Sequence, residues 1–294
     1  MEPQVVVSQL VLPLALAMMM LVMGMSVRPL HFRRLLQQPG MIVLGLVLQW
    51  LVLPLLALLL VMLLPLPQTV VIGLVILAAC PGGATSNIIS HLSGGDAALS
   101  VTLTTVVSLL SPLTLPLAVN LMLSALGLGP LEIQLSFATA LVPLLLVTVV
   151  PLLLGMALRH FLPGWSQRYT GLLNRISFAV FVVLIVALAW VNSEQLPQLG
   201  SLVTLACLGL CVLVMMAAAL ISRLFSNDVV TIKTLMIEAG IQNAGTAMLV
   251  AVTLLQRPDL ALVALFYGIL MNLPALLMIV RQQFGHSVYT KARA

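Results

Sequence analysis

Apolar runs of about 20 residues or more follow one another along almost the whole chain. The first run, residues 5–27, contains no Asp, Glu, Lys or Arg, and similar runs recur as far as residue 281. About 20 apolar residues suffice to cross the hydrocarbon core of a bilayer as a helix. Only 6% of the 294 residues are charged, whereas a soluble domain carries about 25%. The sequence therefore predicts one integral membrane domain over residues 1–294.

Charged residues and clusters of Pro and Gly divide the chain into segments that predict nine transmembrane helices. The predicted segments are 5–27, 40–64, 69–93, 97–124, 133–158, 170–191, 199–222, 230–255 and 260–281. An all-α fold is favoured over a β-barrel because barrel strands alternate polar and apolar residues over about ten positions. The first segment is interpreted as a retained helix, since it is longer than a signal core and no Lys or Arg precedes it.

The positive charges predict how these segments are oriented. If the N-terminus lies outside, one loop set holds only Arg257, and the other holds Arg28, Arg33, Arg34, Arg159, Arg168, Arg175, Arg223, Lys233, Arg281, Lys291 and Arg293. This strong positive-inside bias predicts an N-out, C-in multi-pass protein of the cell membrane, which is the inner membrane in a Gram-negative bacterium. The net charge of +5 is thus a topology signal of a protein embedded in lipid, and it does not indicate a nucleic-acid partner.

Two of the predicted segments contain polar interruptions bounded by glycine. They are Cys80–Asn87 in the third segment and Glu238–Gly245 in the eighth. A backbone that leaves the helix at membrane depth needs protein or a water-lined cavity to satisfy its free polar groups. Two breaks at corresponding places in two halves, here about 5–127 and 132–284, are typical of the binding site of a transporter.

Glu238 is the one acidic residue that the hydropathy pattern places well inside a span. A buried carboxylate needs a partner, and no Lys, Arg or His lies at a matching depth, so a bound cation is favoured over an acid that neighbouring amides keep protonated. Sodium prefers oxygen ligands, and nearby oxygens are supplied by Ser86, Asn87, Ser100, Thr104 and Gln242. Ser100 and Thr104 lie four positions apart, on one helix face, although both hydroxyls could instead bond their own backbone carbonyls.

Other polar residues near these breaks have structural interpretations. Asp96 follows Ser93-Gly94-Gly95 and precedes an apolar run, so we predict that it caps a helix. His91 is interpreted as an interfacial residue at the end of the third segment. The three cysteines lie inside apolar segments without metal-binding spacing, which predicts that they are small buried apolar side chains.

The two interrupted stretches resemble the bile acid:sodium symporter family of secondary transporters. The likeness is carried by CPGGATSNIISHLSGGDAALSVTLTTVVSLLSPLTLPL and IEAGIQNAG, and it covers nearly the whole chain. The resemblance implies an inverted repeat with a panel domain and a core domain, in which two broken helices cross at the membrane midplane. It also implies the nine-helix variant, which lacks the first helix of the ten-helix members.

The resemblance further implies two sodium sites and a neighbouring substrate site. One Na⁺ would be bound by Ser86, Asn87, Ser100, Thr104 and Glu238, and the second by Gln49, Glu238, Gln242 and the carbonyls of Ala239 and Ile241. The substrate-binding residues would be Ala84, Thr85, Asn243 and Asn272. Family members commonly read GGTASN where this chain has GGATSN, so a hydroxyl that could contact the substrate has moved by one position.

These observations predict a sodium-coupled symporter that imports an organic anion, either bile-acid-like or a small carboxylate such as pantoate or a keto acid. The alternative is a proton-coupled or exchange-type exporter of the same fold, such as an arsenite exporter, in which Glu238 carries a proton and Cys80 contacts the substrate. An enzyme that uses Glu238 with Asp96 or His91 is disfavoured because the last two lie near a membrane face. We therefore expect a transporter and no catalytic residues.

Overall fold

The computed structural model describes residues 10–28, 37–128, 135–191 and 200–291, and these ranges are almost entirely helical. In chain order the helices are α1 (Leu12–Ser26), α2 (Pro39–Leu63), α3 (Gln68–Ala79), α4 (Ala84–Leu92), α5 (Ala97–Ala125), α6 (Phe137–Phe161), α7 (Pro163–Val191), α8 (Gly200–Phe225), α9 (Val229–Gly240), α10 (Ala244–Leu254), α11 (Pro258–Leu270) and α12 (Asn272–Lys291). No β-strand occurs over these ranges, so the predicted all-α class is confirmed. Some positions used in the sequence analysis lie outside the described residues. They are the start of segment 5–27, residues 133–134 and 199, and Arg33, Arg34 and Arg293.

Several helices are long and apolar enough to cross a membrane. Within the described ranges they are Pro39–Leu63, Ala97–Ala125, Phe137–Phe161, Leu202–Phe225 and Pro258–Gln283, the last of which runs through α11 and into α12. Three shorter apolar helices are α1, α3 and α10. The chain is therefore a multi-pass membrane protein, and the count of nine spans with an N-out orientation stays a prediction.

The two interrupted segments are broken helices whose breaks cross each other. Gly82 and Gln242 form an antiparallel bridge. On either side of it the Gly83 N–H donates to the Ile241 carbonyl at 3.0 Å, and the Asn243 N–H donates to the Pro81 carbonyl at 3.0 Å. Each break thus satisfies backbone groups that the other leaves free, which is how irregular backbone is tolerated inside a membrane protein.

Both breaks are shorter than the polar stretches that predicted them. Only residues 80–83 and 241–243 leave the helix, so Thr85, Ser86 and Asn87 lie in the first turn of α4 and Glu238 lies in the last turn of α9. The polar side chains can remain helical because they project from helix ends toward each other, and only the residues between those ends need extended backbone. The polar side chains of both breaks are therefore held on helical turns.

Glycines allow α1 and α6 to pack closely. A Cβ atom on Gly24 would overlap the carbonyl of Leu152, and a Cβ atom on Gly155 would overlap the carbonyl of Leu21. Small residues at such crossings let helix backbones touch, which is the usual basis of helix association in membranes. Helix α7 packs against both α1 and α6, so α1, α6 and α7 form a layer beside the broken helices.

Aspartates cap the helices that follow two of the loops. Asp96 Oδ1 accepts the N–H groups of Ala98 at 2.9 Å and Leu99 at 3.2 Å, so the predicted cap of α5 is confirmed. Asp228 caps α9 in the same way. Hydrogen bonds from the hydroxyl of Thr231 and the N–H of Val230 hold the pKa of Asp228 below its usual value. These caps fix where the helices that carry Ser100, Thr104 and Glu238 begin.

Candidate functional site

Glu238 lies at the centre of the crossing and is only 1% exposed. Its Oε1 atom accepts hydrogen bonds from Ser86 Oγ at 2.6 Å, from Ser100 Oγ and from Thr104 Oγ1 at 3.1 Å. Thr104 Oγ1 also lies 3.0 Å from Oε2. Helices α4, α5 and α9 thus each place hydroxyl or carboxylate oxygens in one small volume, which we call the hydroxyl cluster (Ser86, Asn87, Ser100, Thr104 and Glu238).

Asn87 completes the hydroxyl cluster from the first turn of α4. Its Oδ1 atom accepts from Ser100 Oγ at 2.8 Å and from Thr104 Oγ1 at 3.2 Å. The i, i+4 spacing of Ser100 and Thr104 therefore places both hydroxyls on the face that meets Glu238. Thr104 Oγ1 also lies 2.9 Å from the Ser100 carbonyl. The hydroxyl of Thr104 therefore contacts a backbone carbonyl of its own helix as well as the Glu238 carboxylate.

The hydroxyl cluster contains more acceptors than hydrogens. Its six side-chain oxygens are three hydroxyls, one amide oxygen and the two carboxylate oxygens, and with Glu238 ionised only the hydroxyls carry a hydrogen. Thr104 Oγ1 alone lies within hydrogen-bond distance of five oxygens, yet it can donate to one at a time. A hard cation bound among these atoms would satisfy lone pairs that the hydroxyls cannot.

Gln49 and Gln242 form a second polar group on the other side of the Glu238 carboxylate. Gln49 Nε2 donates to the Glu238 carbonyl at 3.3 Å and to Oε2 at 3.4 Å, while Gln242 Nε2 donates to the Ala239 carbonyl at 2.7 Å. The Oε1 atoms of both glutamines are buried and have no hydrogen-bond partner in the described part of the chain. A buried amide oxygen without a partner is costly, and a bound cation would remove that cost.

A local irregularity in α2 accompanies the placement of Gln49. Residues Leu48–Val52 form one π-helical turn, and such turns are frequent at functional sites. Pro54 lies two residues after this turn, and proline disfavours the regular helical bond in the turn before it. The sequence does carry a weak signal for Gln49, which is an amide in an apolar run five residues before a proline. A hydropathy profile alone does not single out this residue.

Gly82 leaves room beside Gln49 and the acid. A Cβ atom at this position would lie 3.2 Å from Gln49 Nε2 and 3.2 Å from Glu238 Oε2. The carbonyls of Ala239 and Ile241, which the sequence resemblance implicates, lie in the same crossing, and the Ile241 carbonyl already accepts the Gly83 N–H at 3.0 Å. We call Gln49, Gln242 and these two carbonyls, with Glu238, the amide cluster. Its neutral oxygens and one carboxylate fit an alkali cation.

A cavity of about 420 Å³ adjoins the amide cluster. It is lined by all four predicted substrate residues, Ala84, Thr85, Asn243 and Asn272, and by Gln242, which belongs to the amide cluster as well. Asn243 caps α10 through Oδ1, and its Nδ2 is buried without a partner among the described residues. Apolar side chains from α1 and α7, Met19, Val182 and Val186, form part of the wall, and the sequence did not indicate them.

A tyrosine that the sequence analysis did not single out supports the broken end of α9. Tyr267 is fully buried, and its hydroxyl donates to the Gly240 carbonyl at 2.9 Å. The carbonyl that the break frees is thereby satisfied. Asp96 and His91, the residues considered for catalysis, do not line the cavity, and Asp96 caps α5. Cys80 is buried and does not line the cavity either.

Comparison with known proteins identifies the family to which this chain belongs. The family model described as the Sodium Bile acid symporter family matches residues 13–199. The chain is 27% identical to an uncharacterized sodium-dependent transporter, YocS, of Bacillus subtilis, over 78% of this chain and 70% of that protein. It is 30% identical to the ileal sodium/bile acid cotransporter of Cricetulus griseus, over 89% of this chain and 74% of that protein.

A third relative is much longer than this chain. The P3 protein of Homo sapiens is 28% identical over 87% of this chain, but the match spans only 53% of the human protein. The shared part therefore covers most of this chain and about half of the human protein. The chain is a multi-pass membrane protein that belongs to the sodium bile acid symporter family of transporters.

Proposed function

We propose that this protein is a sodium-coupled symporter that imports an organic anion by alternating access. The observation that carries the proposal is that one carboxylate, Glu238, belongs to two oxygen-rich clusters. In the hydroxyl cluster the acceptors outnumber the hydrogens, and in the amide cluster two buried amide oxygens lack a hydrogen-bond partner among the described residues. One Na⁺ would lie in the hydroxyl cluster and a second in the amide cluster. Gln242 belongs to the amide cluster and also lines the cavity, so ion binding and substrate binding are coupled through one residue.

The charge of the occupied site favours an anionic substrate. Two Na⁺ ions beside one carboxylate leave a net charge of +1. The first turn of α4 lines the cavity through Ala84 and Thr85, and the N-terminal turn of a helix presents free N–H groups and the positive end of its dipole. A carboxylate would be attracted by both. The apolar wall formed by Met19, Val182 and Val186 suits the rest of an organic acid.

The energetics of this stoichiometry are sufficient for concentrative uptake. Moving one net charge across the membrane is worth about 2.3 kcal/mol per 100 mV. A tenfold sodium gradient adds about 1.4 kcal/mol for each ion. The sum of roughly 5 kcal/mol could sustain an anion gradient of several thousandfold. Both ions must therefore bind and be released together with the substrate for the full gradient to be used.

Coupling would follow from the crossing itself. The bridge between Gly82 and Gln242 and the shared acid tie the two broken helices together, so ions at Glu238 stabilise the arrangement of α4 and α10 that forms the cavity. We propose that α1, α6 and α7 belong to the panel of an inverted-repeat fold and that the broken helices rock against them. Bile-acid-like anions and small carboxylates such as pantoate or a keto acid are the substrate classes to be tested.

A thermal-unfolding screen of organic anions on the purified protein tests this function. Each anion is added in sodium chloride and, as a matched control, in potassium chloride of equal ionic strength. We expect the cognate anion to raise the unfolding temperature only in sodium. An anion whose stabilising effect is independent of sodium but changes with pH would instead support the proton-coupled or exchange-type alternative, and would overturn sodium symport. Uptake into proteoliposomes under a sodium gradient then identifies the transported anion.

A further inference from the structure

Two adjoining cavities lie at the end of the α1, α6 and α7 layer where α1 and α6 end and α7 begins. Their volumes are about 820 Å³ and 520 Å³, and both are lined by Arg28, Arg159 and Gln167. We call the joined space the basic cleft. It shares no lining residue with the cavity beside the amide cluster, so it is separate from the proposed substrate site and has no part in the transport mechanism proposed above.

The basic cleft has a polar part and an apolar part. The smaller cavity adds the hydroxyl side chains of Ser26 and Thr170. The larger cavity adds an apolar wall made by Val27, Leu153, Met156, Ala157, Phe161 and Pro163. The two guanidinium groups lie where the two parts meet, and neither cavity is lined by an acidic residue from the described ranges. This arrangement matches a ligand with an anionic head on an apolar chain.

The position of the cleft along α6 matches the boundary of a bilayer. Helix α6 is long and apolar enough to cross the membrane, and Arg159 lies in its last turn. Leu153 lies six residues earlier, which is about 9 Å along a helix, and its side chain is 47% exposed. Phe161 at the end of α6 is 76% exposed. The charged end of the cleft therefore lies at headgroup depth, on the face where the charge distribution places the cytoplasm, and its apolar wall extends toward the acyl chains.

We propose that the basic cleft binds the phosphate group of an anionic phospholipid, with the acyl chain lying on the wall formed by Leu153, Met156 and Ala157. Guanidinium groups bind phosphate oxygens through paired, charge-assisted hydrogen bonds, and basic pockets between transmembrane helices are suited to anionic headgroups. Bound lipid would bridge the ends of α1 and α6 and the start of α7. Free phosphate shares the head chemistry but leaves the apolar wall unused, so the lipid is the expected ligand.

Thermal unfolding in nanodiscs tests this site. The full-length protein is compared in phosphatidylcholine and in phosphatidylcholine containing phosphatidylglycerol, and lipid affinity is measured by native mass spectrometry. We expect phosphatidylglycerol to stabilise the wild type, and Arg28→Gln and Arg159→Gln each to weaken its binding about fivefold, since one basic side chain near an anionic surface contributes about that factor. Arg223→Gln is the matched control, because Arg223 is exposed at the end of α8 and does not line the cleft. This variant should bind phosphatidylglycerol as tightly as the wild type does.

A variant that keeps every charge distinguishes lipid binding in the cleft from a general attraction of anionic lipid to the basic protein surface. Ala157→Trp places a large side chain in the apolar part of the cleft and should reduce phosphatidylglycerol binding while Arg28 and Arg159 are retained. The proposal is overturned if phosphatidylglycerol stabilises the protein no more than phosphatidylcholine does, if all three arginine variants lose binding equally, or if Ala157→Trp binds like the wild type. Stabilisation by inorganic phosphate alone, to the same extent as by phosphatidylglycerol, would also overturn it in favour of a free-anion site.

Discussion

Replacing Glu238 by glutamine removes the charge on which both proposed sodium ions depend while keeping the shape of the side chain. Ser86 Oγ lies 2.6 Å and Thr104 Oγ1 3.0 Å from the carboxylate oxygens. A cation bound by these same atoms would therefore lie within about 4 Å of the charge. At that distance two unit charges interact by about 4 kcal/mol at an effective dielectric constant of roughly 20, so sodium binding should weaken by about a thousandfold.

The assay is the sodium dependence of thermal unfolding and of uptake in proteoliposomes. We expect Glu238→Gln to unfold without sodium at a temperature equal to or above that of the wild type, because an unpaired buried charge has been removed. Addition of up to 100-fold more sodium than the wild type requires should then leave its unfolding temperature unchanged, and uptake should be lost.

The matched control is Asp259→Asn, which makes the same chemical change outside the site. The Asp259 carboxylate, in the first turn of α11, pairs with Arg257 at 2.7 Å, so this variant should retain the sodium response. The reasoning would be refuted if Glu238→Gln reached half-maximal uptake at a sodium concentration within threefold of the wild type. Loss of the response in both variants would indicate a general effect of net charge rather than a site at Glu238.

Three further predictions concern residues around the crossing. Gly82→Ala places a methyl group 3.2 Å from Gln49 Nε2 and should raise the sodium concentration for half-maximal uptake several-fold; unchanged sodium dependence would argue against the amide cluster. Tyr267→Phe leaves the buried Gly240 carbonyl without its hydroxyl donor and should destabilise the protein by about 1–3 kcal/mol, measured by unfolding in sodium-free buffer. The pKa of Asp228 is lowered in the folded protein. Its contribution to stability is therefore complete above the pKa of the unfolded chain and is lost as the pH falls through the lower folded pKa. The unfolding temperature of Asp228→Asn should accordingly vary less than that of the wild type between pH 5 and 3.

Much of the site could be predicted from residue types because the chemistry of a membrane interior leaves few alternatives. An acid such as Glu238, in a chain with so few charges, must have a partner, and two glycine-bounded breaks must satisfy each other or a ligand. Glu238, Ser86, Ser100 and Thr104 followed from that reasoning. Gln49 came only from the resemblance to a family, because a single amide in an apolar helix can face any direction until a neighbouring helix is placed beside it.

The sequence by itself determined the helical membrane class, the two breaks and the acid at their centre, since these depend on hydropathy, glycine and proline at local spacing. Only the tertiary structure decided which atoms meet. The pairing of Gly82 with Gln242, the support of Gly240 by Tyr267 and the separate basic cleft at Arg28 and Arg159 join residues distant along the chain. Such contacts are set by how helices pack in three dimensions, and no local pattern in the chain encodes them.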